Sequence, residues 1–357
     1  MTCIAQRPPS VGDAEHMRRA IELAAPESTH PNPRVGAVVV DPSGVVVGEG
    51  AHAGVGRAHA EVVALEKAGE RAKGSTLYVT LEPCSHHGLT PPCVASIISS
   101  GVARVVVGAI DPDERVSGSG VSSLRDAGVE VVTDVLAAEA EAVDPSYFQH
   151  RRTGLPRVTL KLAMTLDGAV AALDGTSQWI TSDQARADAH LLRSSMDAIV
   201  IGAGTLRADD PLLTVRLDEP VASQPVPVIV AGSQALPADS RIWERFPVVI
   251  STSPIDIPSG DLVLVGGAGE WPDPETSALA LAGRGLFDVL VEGGPRLAGS
   301  WWRAGLVSRG VIYVGGRVGG GGGLAPLGGD FATMAQSRAV AIRDVRMVGP
   351  DVRIEFE

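Results

Sequence analysis

The chain has 357 residues, a formal net charge of −12 and a hydrophobic content of 45%, so it can bury the cores of two domains of ordinary size. Its acidic charge argues against a nucleic-acid partner, because binding to a phosphate backbone depends on Lys and Arg. With three cysteines and no apolar run that approaches about 18 residues, the sequence predicts a cytoplasmic protein without a disulfide framework or a membrane span.

Strands and helices alternate through the first part of the chain. A helix is predicted over residues 13–25, with Asp13 as a candidate N-cap and apolar side chains at helical spacing. The predicted strands cover residues 35–40, 45–48, 76–80, 104–108 and 129–132, and the other helices begin at residue 60, cover residues 92–100 and lie near residue 121. This alternation predicts an α/β layer fold.

Three side chains of metal-binding type lie at the starts of two predicted helices. A catalytic zinc ion keeps three protein ligands and leaves the fourth position to water, and one His with two Cys is a common set. His59, Cys84 and Cys93 fit that set, and we predict that they bind Zn²⁺. The alternatives are a closed structural zinc site, for which His86 or His87 could be the fourth ligand, or two buried thiols beside an unrelated histidine.

A carboxylate accompanies the predicted ligands. Glu61 stands two residues after His59, where it can reach a zinc-bound water without being a ligand and can move a proton to a departing amine. Zinc lowers the pKa of its bound water from about 15.7 to about 7. The pattern therefore predicts hydrolytic deamination of an aminopyrimidine with Glu61 as the catalytic residue, although Cys84 and Cys93 are farther apart than in the usual deaminase motif.

The segment from residue 144 to residue 156 interrupts the alternation with Pro145, Gly154 and Pro156. We place the domain boundary there and assign residues 1–147 to the first domain and 148–357 to the second. In the second domain, strands are predicted at residues 157–163, 198–201, 226–230, 248–250, 262–265 and 289–291, with a last pair in 311–314 and 339–355, and helices are predicted at 183–194, 276–282 and 295–302.

Two glycine turns follow predicted strands of the second domain. The turn after residue 201 is only a partial dinucleotide fingerprint, because Arg207 replaces its third glycine. In the turn that begins at Glu292, glycines would let backbone amides and a helix start approach a phosphate. The glycine-rich run 315–329 lacks the Lys-Ser/Thr ending of a P-loop and is predicted to be a mobile surface loop.

One lysine is placed unusually. Lys161 is one of three lysines in the chain and lies in an apolar predicted strand close to Asp167. A lysine there requires a partner. Either the two side chains form a structural ion pair, or one of them supplies a proton during catalysis.

Several segments resemble one known family over nearly the whole chain. They are the loop from Leu81 to Cys93, the stretch Asn32-Pro33-Arg34-Val35-Gly36, and the residues Gly204-Thr205, Asp209-Asp210-Pro211, Leu213-Thr214 and Arg216. The family comprises the bifunctional enzymes of riboflavin biosynthesis, diaminohydroxyphosphoribosylaminopyrimidine deaminase / 5-amino-6-(5-phosphoribosylamino)uracil reductase. The resemblance implies an N-terminal cytidine-deaminase-like three-layer α/β/α domain, a C-terminal dihydrofolate-reductase-like α/β domain, pyrimidine ribosyl phosphates as substrates, and a homo-oligomer (dimer or tetramer).

The resemblance also implies roles for individual residues. NADPH would be held by Ala163, Trp179, Thr205, Asp209, Ser233 and the turn Gly294, Pro295, Arg296, Leu297, Ala298, Gly299 and Ser300. Substrates would be held by Asn32, His52 and Ser85 in the first domain and by Ser177, Arg193, Leu213, Arg216 and Glu292 in the second, where an arginine can bind a phosphate bidentately. The chemistry, rather than the resemblance, suggests a role for Lys161 or Asp167: hydride transfer to the opened ribose needs a proton on the developing alkoxide, and one of these residues could position or donate it.

Three other interpretations stay open at this point. The chain could be a nucleoside or nucleic-acid deaminase with an accessory domain, or a binding protein with structural zinc and a dinucleotide-sensing half. Only one half could be active, since the family usually has a basic residue at the position of Leu89.

Overall fold

The structure, a computed structural model, describes residues 11–24, 29–85, 91–113, 116–221, 223–232, 235–328 and 333–357. The chain packs as two compact units, Met1–Gly154 and Leu155–Glu357. No helix in the described parts is long and apolar enough to cross a lipid bilayer.

The first unit is built on one sheet. Its elements are α1 (Val11–Leu23), β1 (Gly36–Val40), β2 (Val46–Ala51), α2 (Ala60–Ala68), β3 (Thr76–Leu81), α3 (Cys93–Ser99), β4 (Arg104–Ala109), α4 (Ser119–Asp126), β5 (Glu130–Val132), α5 (Ala137–Glu141) and α6 (Pro145–Thr153). The strand order is β2-β1-β3-β4-β5. Strand β1 is antiparallel to both neighbours, whereas β3, β4 and β5 are parallel.

Alternate residues of the central strands face opposite helix layers. On β1, Val38 packs in a cluster with Met17 of α1. Its neighbours Ala37 and Val39 belong to a second cluster that includes Ala64 of α2. The sheet therefore lies between two helical layers, which confirms the predicted three-layer α/β/α arrangement.

Helix α6 lies in the segment in which the domain boundary was predicted. Asp144 caps it by accepting a hydrogen bond from the Tyr147 amide at 3.2 Å, Pro145 stands in its first turn, and Gly154 ends it at a φ of 75°. Pro at a helix start and Gly just past its end are ordinary helix boundaries. The division predicted after residue 147 falls inside α6, which belongs entirely to the first unit.

The second unit is built on one large sheet. Its elements are β6 (Arg157–Thr165), α7 (Asp183–Ser194), β7 (Ala198–Gly202), α8 (Ala203–Asp209), β8 (Val226–Val230), β9 (Val248–Ser251), β10 (Asp261–Leu264), β11 (Gly267–Ala268), β12 (Trp271–Pro272), α9 (Pro274–Ala282), β13 (Asp288–Val291), α10 (Pro295–Arg303), β14 (Val307–Gly315), β15 (Ile342–Val348) and β16 (Asp351–Phe356).

The strand order is β10-β9-β8-β7-β13-β6-β14-β16-β15. Neighbouring strands from β10 to β14 are parallel, so their carboxyl ends lie at one edge of the sheet. The structure differs from the prediction in two places. The glycine turn predicted after residue 201 is the start of helix α8, and the last predicted strand is a hairpin of β15 and β16.

Candidate active sites

Three predicted metal ligands come together in the first unit. One ring nitrogen of His59 and the sulfur atoms of Cys84 and Cys93 all lie within 4.8 Å of one another. The Nδ1 atom of His59 is 2.9 Å from Cys93 Sγ and 3.6 Å from Cys84 Sγ, and the two sulfur atoms are 3.5 Å apart. Two sulfur atoms and one imidazole nitrogen at this separation can share one tetrahedral zinc ion.

The two thiols differ in their electrostatic environment. Hydrogen bonds from the Cys93 thiol, from His59 and from the Cys93 amide lower the pKa of Cys84 to about 4. The amide bond is 3.3 Å long and comes from the first residue of α3, where a helix start favours a thiolate. The hydrogen bond to Cys84, followed by burial, raises the pKa of Cys93.

Glu61 is buried beside this cluster and is 4% exposed. Burial raises its pKa, while the neighbouring His59 acts in the opposite direction. A carboxyl group with a raised pKa exchanges protons more readily near neutral pH. The structure thus puts a carboxyl group with a raised pKa beside the three predicted metal ligands.

Close packing of α2 on β2 fixes the helix start that carries His59 and Glu61. A Cβ atom added to Gly50 would lie 2.2 Å from the Ala60 carbonyl oxygen. Real Cβ atoms do not approach backbone that closely, so only glycine allows this helix position. The sequence of β2 therefore helps to set the distance between the helix start and the rest of the site.

A cavity of about 210 Å³ opens onto the cluster and is lined by Asn32, His52, His59, Glu61 and Cys84. His52 Nδ1 lies 3.2 Å from the Ala58 carbonyl oxygen and must be the protonated nitrogen. Its Nε2 then accepts a hydrogen bond from Asn32 Nδ2 at 3.0 Å, which leaves the side-chain oxygen Oδ1 of Asn32 for a ligand. Two other predicted residues do not line this cavity. Cys93 is buried, and the hydroxyl of Ser85 forms a hydrogen bond of 2.7 Å with the Ser119 hydroxyl.

The sequence analysis missed several residues that shape this cavity. Glu82 is buried and accepts backbone N–H groups of Gly118, Gly120 and Val121 at 2.9–3.1 Å, which ties the start of α4 to the loop before Cys84. The position of Glu82 directly before Pro83-Cys84 was a local signal from which its role could have been predicted. Arg57, Asp111, Tyr147 and Arg151 also line the cavity and come from separate loops and α6, with no common pattern. His86, His87 and Leu89 lie outside the described residues.

Asp144 connects α6 to the turn that carries Asn32. Its carboxylate accepts the Arg34 amide at 3.0 Å and lies 3.0 Å from His30 Nε2. Burial alone would raise the pKa of Asp144, but the contact with His30 outweighs it and the pKa is lowered. The helix missed by the sequence analysis thus holds one wall of the cavity.

The second unit contains a much larger cavity, of about 1670 Å³, at the carboxyl ends of β6, β13, β7 and β8. Ligands in open parallel sheets bind outside these strand ends. The predicted residues that line it are Lys161, Ala163, Ser177, Trp179, Arg193, Thr205, Asp209, Leu213, Arg216, Glu292, Gly294, Pro295, Arg296, Leu297 and Ser300. Ala298 and Gly299 are buried within α10 and do not line it, and Ser233 lies outside the described residues.

Arg193 and Glu292 form a buried pair at this cavity. The Nε and Nη2 atoms of Arg193 donate to the two carboxylate oxygens of Glu292 at 2.7 and 2.6 Å, and Nη1 donates to the Thr214 carbonyl at 2.9 Å. Burial would raise the pKa of Glu292, but Arg193 outweighs it and the pKa is lowered. Both arginines were predicted to bind a phosphate. The guanidinium of Arg193 is already hydrogen-bonded to Glu292 and Thr214, whereas Arg216 is exposed.

Asp167 does not stand where the sequence analysis expected it. Its carboxylate accepts the Thr165 hydroxyl at 2.6 Å and the amides of Gly319, Gly320 and Gly321 at 2.8–3.1 Å. These hydrogen bonds, that of Thr165 first, lower its pKa well below the usual range. Such a carboxylate is a poor proton donor at neutral pH, and it anchors the glycine-rich run that was predicted to be mobile. Lys161 instead lies 5.8 Å from the ring centre of Tyr313.

His190 gives this unit a pH-dependent stability. Burial, followed by the positive charges of Arg193 and Arg216, lowers the pKa of His190 to about 4. The unfolded chain takes up a proton near pH 6.5, so stability falls as the pH drops from about 6.5 towards about 4. We expect His190→Gln to flatten this part of the pH profile of thermal unfolding. Equal slopes in the two proteins would contradict the assignment.

Comparison with known proteins identifies both units. Residues 156–353 match the family model of the RibD C-terminal domain, and residues 11–109 match that of the cytidine and deoxycytidylate deaminase zinc-binding region. The riboflavin biosynthesis protein RibD of Escherichia coli is 39% identical over 369 residues, which cover 95% of this chain and 98% of the relative. The chain belongs to the RibD family. It is a bifunctional enzyme of riboflavin biosynthesis that combines a zinc-binding deaminase with a reductase.

Solved structures of the RibD family have the same fold. RibD of Acinetobacter baumannii is 34% identical and superposes with a TM-score of 0.88, covering 97% of this chain and 98% of that one. The diaminohydroxyphosphoribosylaminopyrimidine deaminase/5-amino-6-(5-phosphoribosylamino)uracil reductase of Thermotoga maritima is 33% identical, with a TM-score of 0.85 and the same coverage. The nucleic-acid deaminase and the binding protein considered above are therefore excluded as interpretations of the whole chain.

Proposed function

We propose that the first unit is the deaminase domain and converts 2,5-diamino-6-ribosylamino-4(3H)-pyrimidinone 5′-phosphate to 5-amino-6-(5-phosphoribosylamino)uracil, and that the second unit reduces the ribosyl group of this product to ribityl with NADPH. The observation that carries the proposal is that buried Glu61 neighbours the cluster of His59, Cys84 and Cys93, and that Glu61, His59 and Cys84 line one small cavity. The Thermotoga maritima relative is named for the same two reactions.

In the deaminase, His59, Cys84 and Cys93 would hold zinc. When bound, zinc supplies a Lewis acid that makes a water molecule acidic enough to react at neutral pH. The Glu61 carboxylate takes a proton from the attacking water and delivers it to the amine nitrogen that leaves as ammonia. Asn32, oriented by His52, would accept a hydrogen bond from the pyrimidine edge in the cavity that both residues line.

In the reductase, the turn at Gly294 and the start of α10 would bind the pyrophosphate of the nicotinamide cofactor. Gly294 has a φ of 54° and stands directly before the first residue of the helix, so backbone amides can approach a phosphate there. When bound, NADPH supplies the hydride. Lys161 is the proton source that we propose for the alkoxide, because Asp167 is engaged with the glycine run.

Lys161→Met is expected to lower kcat of the reductase by about 10²-fold or more, since positioned acid catalysis contributes at least that much. The methionine keeps the length and packing of the side chain, so NADPH affinity should not change. Lys67→Met, an exposed lysine on α2, is the matched control. The role fails if steady-state reduction of supplied deaminated intermediate proceeds at the wild-type rate.

The test of the whole proposal is a coupled assay on zinc-loaded protein. The diaminopyrimidine ribosyl phosphate is supplied with NADPH, and ammonia release and NADPH oxidation are followed separately. We expect ammonia first and NADPH oxidation to depend on it. Absence of both signals would refute the substrate assignment. Ammonia release alone would show that only the deaminase half is active.

We also propose that the protein is a cytoplasmic homo-oligomer, a dimer or a tetramer. Strand β15 lies at the edge of the large sheet and exposes Ile342, Val345 and Met347 by 58–66%. An exposed apolar edge strand is a surface on which another chain can pair. Sedimentation of the purified protein gives the mass that decides between these states.

A further inference from the structure

The Lys161 side chain lines the large cavity of the second unit without an ion pair or a hydrogen bond to any described residue. Glu292 follows the adjacent strand β13, but both of its carboxylate oxygens accept hydrogen bonds from Arg193 at 2.7 and 2.6 Å. A lysine ammonium on its flexible four-carbon stem has to be held in one place before it can give a proton to a defined atom. Another group must therefore position it.

The contact that the structure gives Lys161 is an aromatic ring. Its Nζ atom lies 5.8 Å from the ring centre of Tyr313, within the range of a cation–π interaction. In the register of β6 and β14, Tyr313 is opposite Ala163, which stands two positions after Lys161. Residues two positions apart on a strand share one face of the sheet, so the strand pairing itself puts the ring beside the ammonium.

The ring of Tyr313 is fixed from the opposite side. Tyr313 is 1% exposed, and its hydroxyl donates to the carboxylate of Asp188 on α7 at 2.6 Å. The same carboxylate lies 3.1 Å from guanidinium nitrogens of Arg346 on β15 and of Arg353 on β16. Tyr313 pairs with Arg353, and Arg353 pairs with Arg346, in the register of these strands. Asp188 therefore ties α7 to three neighbouring strands and anchors the ring between them.

Tyr313 is not itself suited to donate the proton. It is buried and does not line the cavity, whereas Lys161 does. Burial, followed by the hydrogen bond to Asp188, raises the pKa of Tyr313, so the phenol keeps its proton at neutral pH. The ring stays neutral and offers its electron-rich face to a cation.

We propose that Tyr313 is a positioning residue of the reductase, whose ring face, anchored by Asp188, holds the Lys161 ammonium where it can reach the alkoxide of the opened ribose. The inference rests on the proposed function of Lys161 as the proton source. In that step the ammonium gives one proton to the oxygen while the carbon that bears it takes the hydride of NADPH, and the neutral amine then regains a proton from water. An aromatic face holds a cation without a carboxylate that would compete for this proton.

The test compares side chains at position 313 in steady-state reduction of supplied deaminated intermediate by the full chain. Tyr313→Phe keeps the ring and should keep kcat within about threefold of wild type, whereas Tyr313→Leu should lower kcat about tenfold. KM and the Kd of NADPH should not change, because Tyr313 does not line the cavity. Phe287→Leu is the matched control, since Phe287 is also buried in the second unit and outside the cavity lining. It should lower the Tm and leave kcat unchanged.

A fluorinated ring tests the cation–π contact without leaving a cavity. Site-specific incorporation of 3,4,5-trifluorophenylalanine at position 313 gives a ring of nearly the size of phenylalanine but with an electron-poor face. Compared with Tyr313→Phe, it should lower kcat and leave the Tm unchanged. This comparison decides the matter even if Tyr313→Leu does not fold.

A double-mutant cycle separates positioning from a purely structural role. In the Lys161→Met background, Tyr313→Leu should cause no further loss of kcat, because the ring acts only through the ammonium. A second, independent loss in that background would overturn the proposal. It is also overturned, while the role of Lys161 stands, if Lys161→Met is impaired but the fluorinated protein turns over as fast as Tyr313→Phe. If Lys161→Met retains the wild-type kcat, the proposed proton source itself fails.

Discussion

Replacing Glu61 by glutamine is expected to lower kcat of deamination by about 10²- to 10⁴-fold, the usual contribution of a positioned general acid and base. Glutamine has nearly the same shape as glutamate, so the buried start of α2 should keep its packing. It cannot take a proton from water or give one to the departing amine. Because Glu61 is beside the metal ligands without being one of them, zinc content should stay at the wild-type level.

The measurement is ammonia release under saturating substrate, together with metal analysis of the same sample. Glu66→Gln is the matched control, because Glu66 is on the same helix but exposed. The variant at Glu61 should still reduce deaminated intermediate when it is supplied. A Glu61→Gln protein that releases ammonia at the wild-type rate would remove Glu61 from the mechanism, and one that lost zinc would make its role structural.

The metal cluster could be predicted from the sequence because two of its three ligands stand at helix starts. His59 directly precedes α2 and Cys93 begins α3, and helix starts leave a recognisable pattern. The other walls of the deaminase cavity could not be predicted this way. Tyr147 reaches Asp111 across 36 positions with hydrogen bonds of 3.0 and 3.2 Å. Such a contact is created by tertiary packing and leaves no periodic signal.

Asp167 illustrates how a local argument can fail. Lys161 and Asp167 are close in sequence, and a strand would have carried both towards one end of the sheet. Strand β6 ends at Thr165, however, and Asp167 then meets glycine amides about 150 positions later in the chain. The glycines at 320 and 321 have φ of 82° and 89°, which lets consecutive amides turn towards one carboxylate. Only the structure reveals that the amides of one segment bind the Asp167 carboxylate of the other.

The α6 segment is a second case in which local sequence signals were misinterpreted, because here they concealed a helix. Pro145 and Gly154 were interpreted as an interruption of the alternating elements at a domain boundary, yet they mark the start and the end of a helix. A domain boundary and a short helix can both begin at Pro145 and end at Gly154. The eight residues between these two decide for the helix, because Tyr147 and Phe148 among them are buried. Burial of two aromatic rings stabilises this short helix more than its own propensity does.

Removing zinc with a chelator is expected to abolish deamination and to leave the reduction of supplied deaminated intermediate unchanged. The three ligands all belong to the first unit, whereas the cavity proposed for NADPH is lined by the second unit alone. A ligand present at a thousand times its Kd stabilises the folded state by about 4.1 kcal/mol. For a unit of this size, losing that stabilisation corresponds to a Tm that is lower by roughly 8–16 °C. We expect this decrease in the first unit and no change in the Tm of the second.

Cys93→Ser should reproduce the effect of the chelator, because serine at neutral pH does not provide the thiolate that zinc binds. Cys3→Ser is the matched control, since residue 3 is not one of the three ligands. Differential scanning calorimetry with and without chelator separates the two transitions, and restoring zinc should recover wild type but not Cys93→Ser. If chelation lowered both activities together, the reductase would depend on the metal as well, and the assignment of one reaction to each unit would have to be abandoned.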